Sequence, residues 1–572
     1  MASRERRLKW NLPHRKIKNN RRNIMAKNAK TVKVTFLGGV GEVGKNMTAI
    51  ECGDDMIIVD CGVSFATSEE APGIDAIIPD ITYVKENISK LRGIVLTHGH
   101  EDHIGAIPYY ADDLKNVPVY GTALTIGLLK RKLDKNGKKC NLVVVSAGDT
   151  ITLGGFKVEF IKVCHSMAGA CALAITTQVG TVFVTGDFKI DNTPIDGKKT
   201  DIGRIAEIGA KGVLLMLGES TNVERKGSST SEKVVGQTLE SIFASNLDKR
   251  IVIACFASSN YRVQQVLTLA HKYHRKVVLA GRSMKGMVDV ASACGELQVP
   301  KGVIADSVGK LLPSETVILA TGSQGEPLSA LNKLSKGEFN KINIGPQDLV
   351  VLSSSPIPGN EKSVYDVIND LFRKGANVIY DAMNDIHVSG HAYEEELKLM
   401  LTLVQPEYFM PVHGEYRHQF KHAEIAKTLG VPSKNIVIPN IGECYGVNHK
   451  GIKQHSNVTA GNAYVDGVVL ENGKSVVNDR KSLAEYGMLV VLCAVDTDQG
   501  KVVGDVDIVA RGFNLTDDVV NSIKNVTVDT INGADFDKAD VNEIAKMVKK
   551  AVRKLFYKDR QFPIIIPVIV ED

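Results

Sequence analysis

His98-Gly99-His100-Glu101-Asp102-His103 places three imidazoles and the Asp102 carboxylate within six residues, directly after the apolar run Gly93–Leu96. A solitary histidine is usually a structural residue with its hydrogen bonds satisfied. Three of them beside an acid at this density point to a metal. In a loop, positions 98 and 100 can address one ion while Asp102 and His103 turn toward a second. Zinc takes nitrogen and oxygen ligands at four-coordination and lowers the pKa of bound water toward neutrality, so hydrolysis is the expected chemistry.

Outward from that run, residues 31–227 repeat one pattern: a short apolar strand that delivers a polar residue at its end. Val32–Leu37 leads to Gly38-Gly39, Met56–Val59 to Asp60, Val158–Cys164 to His165, and Val182–Thr185 to Gly186-Asp187. Loops at strand ends converge while the sheet beneath stays rigid, which is where α/β folds gather ligands. From Ser228 to Asp381 the texture changes to strand-like runs alternating with helical stretches (Arg250–Cys255, Lys276–Ala280, Thr316–Ala320, Asp348–Leu352, Asn377–Tyr380), the pattern of a parallel sheet with crossover helices. The first texture then returns, with Tyr408–Val412 ending on His413, so 228–381 reads as an insertion and the first domain resumes over 382–450. Residues 451–479 mix Gly, Asn, Ser and Val without helical period and are expected to be a linker. A small α+β domain is expected over 480–572, with strands at Gly487–Val495, Val502–Ala510 and Pro563–Val570 and a helix at Val541–Leu555.

The histidine run, with His165, Gly186-Asp187 and His413 at strand ends, resembles the metallo-β-lactamase superfamily. The resemblance implies a first zinc on His98, His100 and His165, a second on Asp102, His103 and His413, and Asp187 bridging both. The metal motif is shared by thioesterases, lactamases and nucleases, so it fixes a reaction class rather than a substrate. The insertion is more specific. Framed by Glu219-Ser220-Thr221-Asn222 and His387-Val388-Ser389-Gly390-His391, it resembles the β-CASP domain of nucleic-acid-cutting members. More narrowly, the chain from Lys33 is similar to the bacterial ribonuclease J family in Phe36–Asn46, Thr321–Pro327, Ser353–Glu361 and Pro411–Glu415, and in their order.

That resemblance implies a metallo-β-lactamase αββα sandwich carrying an inserted parallel α/β β-CASP domain and a small C-terminal α+β domain. It further implies two Zn2+ per subunit, hydroxide attack on a phosphodiester, and 5′-to-3′ exonuclease and endonuclease activity on single-stranded, 5′-monophosphorylated RNA in mRNA turnover and rRNA maturation. It assigns Asp102, Asp187, Glu219 and His391 to catalysis and His387, Val388, Ser389, Gly390 and His391 to the substrate phosphate. A homodimer, a homotetramer or a hetero-oligomer with a paralogue would fit the family pattern. Thr321–Glu326 and Ser353–Gly359 are expected to line the phosphate path. A weakly catalytic scaffold subunit is the rival reading, but such paralogues tend to lose metal ligands and all seven positions are filled here. Two places depart from the family: Glu219 stands where Asp usually precedes Ser-Thr-Asn, and Ser166–Ala170 replaces the usual continuation after His165.

Composition limits the remaining possibilities. With 572 residues the chain needs two to four domains. No stretch approaches the roughly 18 uninterrupted apolar residues of a membrane span, and the first 30 residues lack the apolar core of a signal peptide, so a cytoplasmic protein without membrane contact is expected. The nine cysteines show no Cys-x-x-Cys spacing and read as small buried hydrophobes. The net charge of +5 divides unevenly: residues 1–30 hold eleven Lys or Arg against one acid, leaving −5 on the remainder. The body therefore has no global attraction for RNA and needs a local groove, while the tail reads as a basic disordered arm.

Overall fold

The computed structural model describes residues 30–65, 70–326, 329–339, 342–356, 360–380, 386–536, 538–557 and 562–571. The basic arm, and Ile357-Pro358-Gly359 of one expected phosphate-lining loop, lie outside the described residues. Contacts divide the chain into two units, 1–64 with 78–462, and 65–77 with 463–572.

In the first unit, β-branched and aromatic runs form two sheets that are buried on most positions of both faces, as stacked layers require. The larger has eight strands, in spatial order Gly451–Gln454, Cys444–Asn448, Val32–Gly38, Met47–Cys52, Asp55–Val59, Leu91–Val95, Pro118–Thr122 and Asn141–Val145. The smaller has six: Pro406–Val412, Val213–Glu219, Thr181–Val184, Cys171–Thr176, Phe156–Lys162 and Thr150–Leu153. Phe36, Ile50, Phe160, Leu215 and Met410 fill the space between them. The helix Ala123–Lys135 packs on the strands Pro118–Thr122 and Asn141–Val145. Helices Ile202–Ala210 and Glu394–Val404 cover the smaller sheet through Ile205, Phe183, Met400 and Phe409. This is the helix–sheet–sheet–helix layering that the family resemblance implies.

Between the strands Val213–Glu219 and Pro406–Val412, which pair in parallel, the chain leaves to build a separate six-stranded sheet. Its order is Ile304–Ala305, Lys276–Ala280, Thr316–Ala320, Arg250–Ala254, Asp348–Leu352 and Asn377–Ile379, with every pairing parallel. Helices cover both faces, with Val263, Met284 and Met287 on one and Leu331, Val367 and Leu371 on the other. The chain leaves for the insertion just beyond Glu219 and comes back through 386–391, where His391 meets Glu219, before the helix Glu394–Val404 leads it into the start of the strand that ends next to His413.

The second unit holds a three-stranded sheet of Lys501–Arg511, Met488–Asp496 and Ile564–Glu571. One face is covered by the helices Asp517–Asn532 and Val541–Leu555 through Ile523, Ile544, Val548 and Val552. Residues 451–479 differ from a bare linker. Gly451–Gln454 adds an edge strand to the large sheet, Asn462–Asp466 pairs with Val468–Val469, and a helix runs over Gly473–Tyr486. Only Gly473 and Val477 of that helix are buried, so its apolar period is too sparse to read from sequence. Among the described residues, no helix is long and apolar enough to cross a membrane.

Candidate metal centre

The metal loop is held from below by backbone. Asn46 N donates to Asp102 O at 3.0 Å, Cys61 N to His103 O at 2.8 Å, and Val63 N to Glu101 O at 3.1 Å. Gly62 lets the two chains approach this closely, since a Cβ there would lie 1.6 Å from Asp102 O. A four-residue helix, Glu101–Ile104, follows His100, so Asp102 and His103 turn away from His98 and His100.

Two donor sets result, His98, His100, His165 and Asp187 in one, and Asp102, His103, Asp187 and His413 in the other, with the ligand atoms of each set within 4.8 Å of one another. Asp187 is common to both. Its Oδ2 lies 3.5 Å from His98 Nε2, 3.7 Å from His165 Nε2 and 3.3 Å from His103 Nε2, while its Oδ1 lies 3.4 Å from His413 Nε2. The sequence-predicted His98, His100, Asp102, His103, His165, Asp187 and His413 are therefore brought to one pocket. Gly186, at φ 55°, turns Asp187 into it, and a Cβ at 186 would press on Cys171 O at 2.9 Å.

The donor chemistry fits metal. His100 Nδ1 sits 2.9 Å from His98 Nε2 and 3.0 Å from His165 Nε2. These are near the roughly 3.3 Å expected of two nitrogens each about 2.0–2.1 Å from one tetrahedral zinc. The opposite ring nitrogens are both spoken for: His165 Nδ1 donates to Gly390 O at 2.8 Å, and His103 Nδ1 donates to Asp60 Oδ2 at 2.8 Å, so Nε2 is the atom that each ring offers to the pocket. Burial pushes His98 and His165 well down and His100 to about 4, so these rings are neutral and ready to ligate. At His103 burial also acts downward, but Asp187 and Asp102 outweigh it and raise the ring well above its ordinary value. A cation there must displace a proton.

Asp60 was not singled out as a site residue by sequence. It follows the strand Asp55–Val59 at φ 58°, a left-handed conformation that Asp tolerates, and accepts from Thr97 N and Thr97 Oγ1, both at 2.8 Å, as well as from His103. An acid at a strand end facing the loop was the available signal.

Glu219 belongs to neither donor set. Its Oε1 accepts from Phe188 N at 3.0 Å and its Oε2 meets His391 Nδ1 at 3.0 Å, so the longer side chain reaches His391. Burial disfavours charge on His391, but Glu219 and Asp187 outweigh it and lift the ring to about 9. The other residues of 387–391 do not act alike. Val388 is buried in the insertion's core, so only its backbone is available. Ser389 Oγ accepts from Asn222 Nδ2 at 2.6 Å and from His391 N at 3.1 Å. His387 is pushed down to about 3, first by burial and then by Arg262, Arg225 and Lys189. The helix Glu394–Val404 begins beyond His391, so His387 and His391 are not a helical pair. The divergent Ser166–Ala170 loop is tied to the insertion, with Ala168 N donating to Asn260 Oδ1 at 2.8 Å.

Comparison with known proteins agrees along most of the chain. Residues 40–213 match the metallo-β-lactamase superfamily, 248–371 the ribonuclease J β-CASP domain, 376–439 the Zn-dependent metallo-hydrolase RNA specificity domain, and 475–572 the ribonuclease J C-terminal domain. Ribonuclease J 1 of Streptococcus pyogenes serotype M3 is 37% identical across 94% of this chain and 97% of that protein. Ribonuclease J of Synechocystis is 41% identical across 86% of this chain and 77% of that protein, and ribonuclease J2 of Bacillus subtilis 36% across 95% and 99%. A crystal structure of a protein of unknown function from Enterococcus faecalis V583 superposes with a TM-score of 0.53 at 18% identity, covering 73% of this chain and 100% of that one, a likeness of fold alone. With the αββα core, the β-CASP insertion and the histidine-aspartate pocket accounted for together, the chain belongs to the ribonuclease J family and is a metal-dependent hydrolase of RNA.

Proposed function

We propose that this enzyme holds two zinc ions, one on His98, His100 and His165 and one on Asp102, His103 and His413, with Asp187 shared, and degrades single-stranded RNA both 5′-to-3′ and internally. Its preferred substrate carries a 5′-monophosphate, its cellular work is mRNA turnover and rRNA maturation in the cytoplasm, and it acts as a homo-oligomer or with a paralogue. The observation that carries this reading is Asp187, the one residue common to both donor sets, with Oδ2 beside His98, His165 and His103 and Oδ1 beside His413.

When bound, the metals neutralise phosphate charge and lower the pKa of water toward neutrality. The chain's own residues orient and protonate. Asp60 and the Gly390 carbonyl fix the His103 and His165 tautomers. Glu219 holds His391 by Nδ1, which leaves Nε2 to hydrogen-bond the phosphate or give a proton to the leaving oxygen. Backbone and Ser389 in 387–391 receive the phosphate of the incoming nucleotide.

The test uses RNAs of one sequence with 5′-monophosphate, 5′-triphosphate and 5′-hydroxyl ends, with and without chelator, on the wild-type enzyme and His100→Ala. Chelator-sensitive cleavage fastest on the monophosphate, and its loss in His100→Ala, is expected. Chelator-resistant cleavage defeats the metal mechanism, and indifference to the 5′ end leaves an endonuclease.

A further inference from the structure

The segment 386–391 adopts no regular structure, yet its carbonyls are anchored. Ile386 O accepts from Arg262 Nη1 at 2.8 Å and from Ser353 Oγ at 2.7 Å, and Ser389 O accepts from Lys189 Nζ at 3.3 Å. Both cations are buried, at 2% and 3% exposure. Each has a second tether: Arg262 Nε on Glu232 Oε1 at 2.7 Å, and Lys189 Nζ on Thr230 O at 3.1 Å with Asp191 Oδ2 at 3.9 Å. A peptide group is planar and trans, so a carbonyl drawn one way aims the following N–H the other way. Drawing Ile386 O onto Arg262 and Ser389 O onto Lys189 therefore turns the N–H groups of His387 and Gly390 away from the two cations. Among the described residues neither N–H has an acceptor. Unpartnered N–H groups on one irregular loop suit an anion, and the two cations behind them add positive potential.

We infer that Lys189 and Arg262 are positioning residues that shape the 387–390 backbone into a phosphate cradle by holding the Ser389 and Ile386 carbonyls, and so set the affinity for the RNA phosphate and not the rate of bond cleavage. This rests on the reading of 387–391 as the phosphate-binding segment. Neither side chain reaches substrate. Removing either hydrogen bond frees its carbonyl to turn, and the N–H of the same peptide group swings out of the cradle. The positive environment is independently visible at His387, where Arg262 and Lys189 both disfavour a proton.

The test compares wild type with Lys189→Met and with the double variant Arg262→Met/Glu232→Gln, which leaves no buried carboxylate without its cation. Melting temperature and bound zinc are checked first. KM and kcat are then measured on 5′-monophosphorylated RNA, together with inhibition by inorganic phosphate. Loss of a hydrogen bond to a charged group shifts the equilibrium it holds, here between the held and the released carbonyl, by about 10- to 100-fold. In both variants KM and the phosphate inhibition constant are expected to rise together by such a factor, with kcat within about threefold, and Lys189→Arg to recover part of the loss. Should one variant fail to fold, the other decides. Folded, zinc-loaded variants with unchanged KM and unchanged phosphate inhibition overturn the positioning role while leaving the phosphate reading intact. A wild-type enzyme insensitive to both inorganic phosphate and the 5′ phosphate overturns the phosphate reading, and this inference with it.

Discussion

Replacing Asp60 with Asn changes one oxygen for one NH2 at a residue that touches no substrate. The backbone tolerates it, because Asn shares with Asp the ability to hold the left-handed conformation seen there at φ 58°. The hydrogen bonds do not. Thr97 N occupies Oδ1, while Thr97 Oγ1 and His103 Nδ1 share Oδ2, each at 2.8 Å. With the amide oxygen kept on Thr97 N, the NH2 faces His103 Nδ1 and can only donate. His103 then turns its Nδ1 lone pair toward the new amide group and carries its proton on Nε2, the atom 3.3 Å from Asp187 Oδ2 and 3.6 Å from Asp102 Oδ2. Flipping the amide instead sets an NH2 against Thr97 N–H. The first arrangement removes the ligand lone pair and the second keeps it only by opposing two donors at Thr97 N, so the first prevails, and loss of such an orienting partner costs about 10- to 100-fold in metal affinity, or roughly 1.4–2.7 kcal/mol. Zinc titration against a chromophoric chelator measures it. His103 belongs to one donor set only, so one site is expected to weaken by that factor and the other to stay tight, with cleavage recovering at high zinc. Two sites of wild-type affinity would refute the argument that Asp60 sets the His103 tautomer.

Three further outcomes follow from the same geometry. Glu219→Gln keeps the bond from Phe188 N but removes the charge that holds His391 protonated. A fall in kcat of about 10- to 100-fold is expected with zinc content unchanged, less than the roughly 100- to 10,000-fold a general acid–base group supplies because His391 itself remains; unchanged kcat would show that His391 does not depend on Glu219. Gly62→Ala drives a methyl into Asp102 O, which a Cβ would approach to 1.6 Å, so the metal loop must shift; zinc retained at wild-type affinity would contradict that contact. His422, fully buried with Nδ1 3.0 Å from Ser220 Oγ, is pushed by burial from 6.5 to about 3. Its neutral form therefore stabilises the fold fully above pH 6.5, and that contribution fades as pH falls from 6.5 toward 3. In chelator, the unfolding free energy of wild type is expected to drop between about pH 6.5 and 5 by on the order of 2 kcal/mol more than that of His422→Gln; parallel curves would count against it.

What could be read from the sequence depended on how local the physics is. His98 to His103 is one loop, and its ligand types and spacing point to metal without knowledge of any partner. The parallel sheet of the insertion was legible for a similar reason, since strands buried on both faces are apolar throughout and their boundaries fall where that run ends. His165, Asp187 and His413 have no such local signature. Each is one polar residue after a strand, and its link to the metal loop came from resemblance. Asp60 occupies the same kind of place and went unassigned, because its role depends on contact with Thr97 and His103 some forty residues away. Arg262 and Lys189 were less legible still: a cation on an apolar helix and another after Phe188 look like ordinary surface charge until the fold buries them behind 386–391. The general consequence is that ligands which bind metal directly leave dense, typed patterns in sequence, whereas groups that only orient them or shape a backbone cradle can be almost any donor at almost any position. For this enzyme the second class joins Asp60 to His103 and the two buried cations to the 386–391 segment, and it is there that variants are expected to separate metal affinity from phosphate affinity.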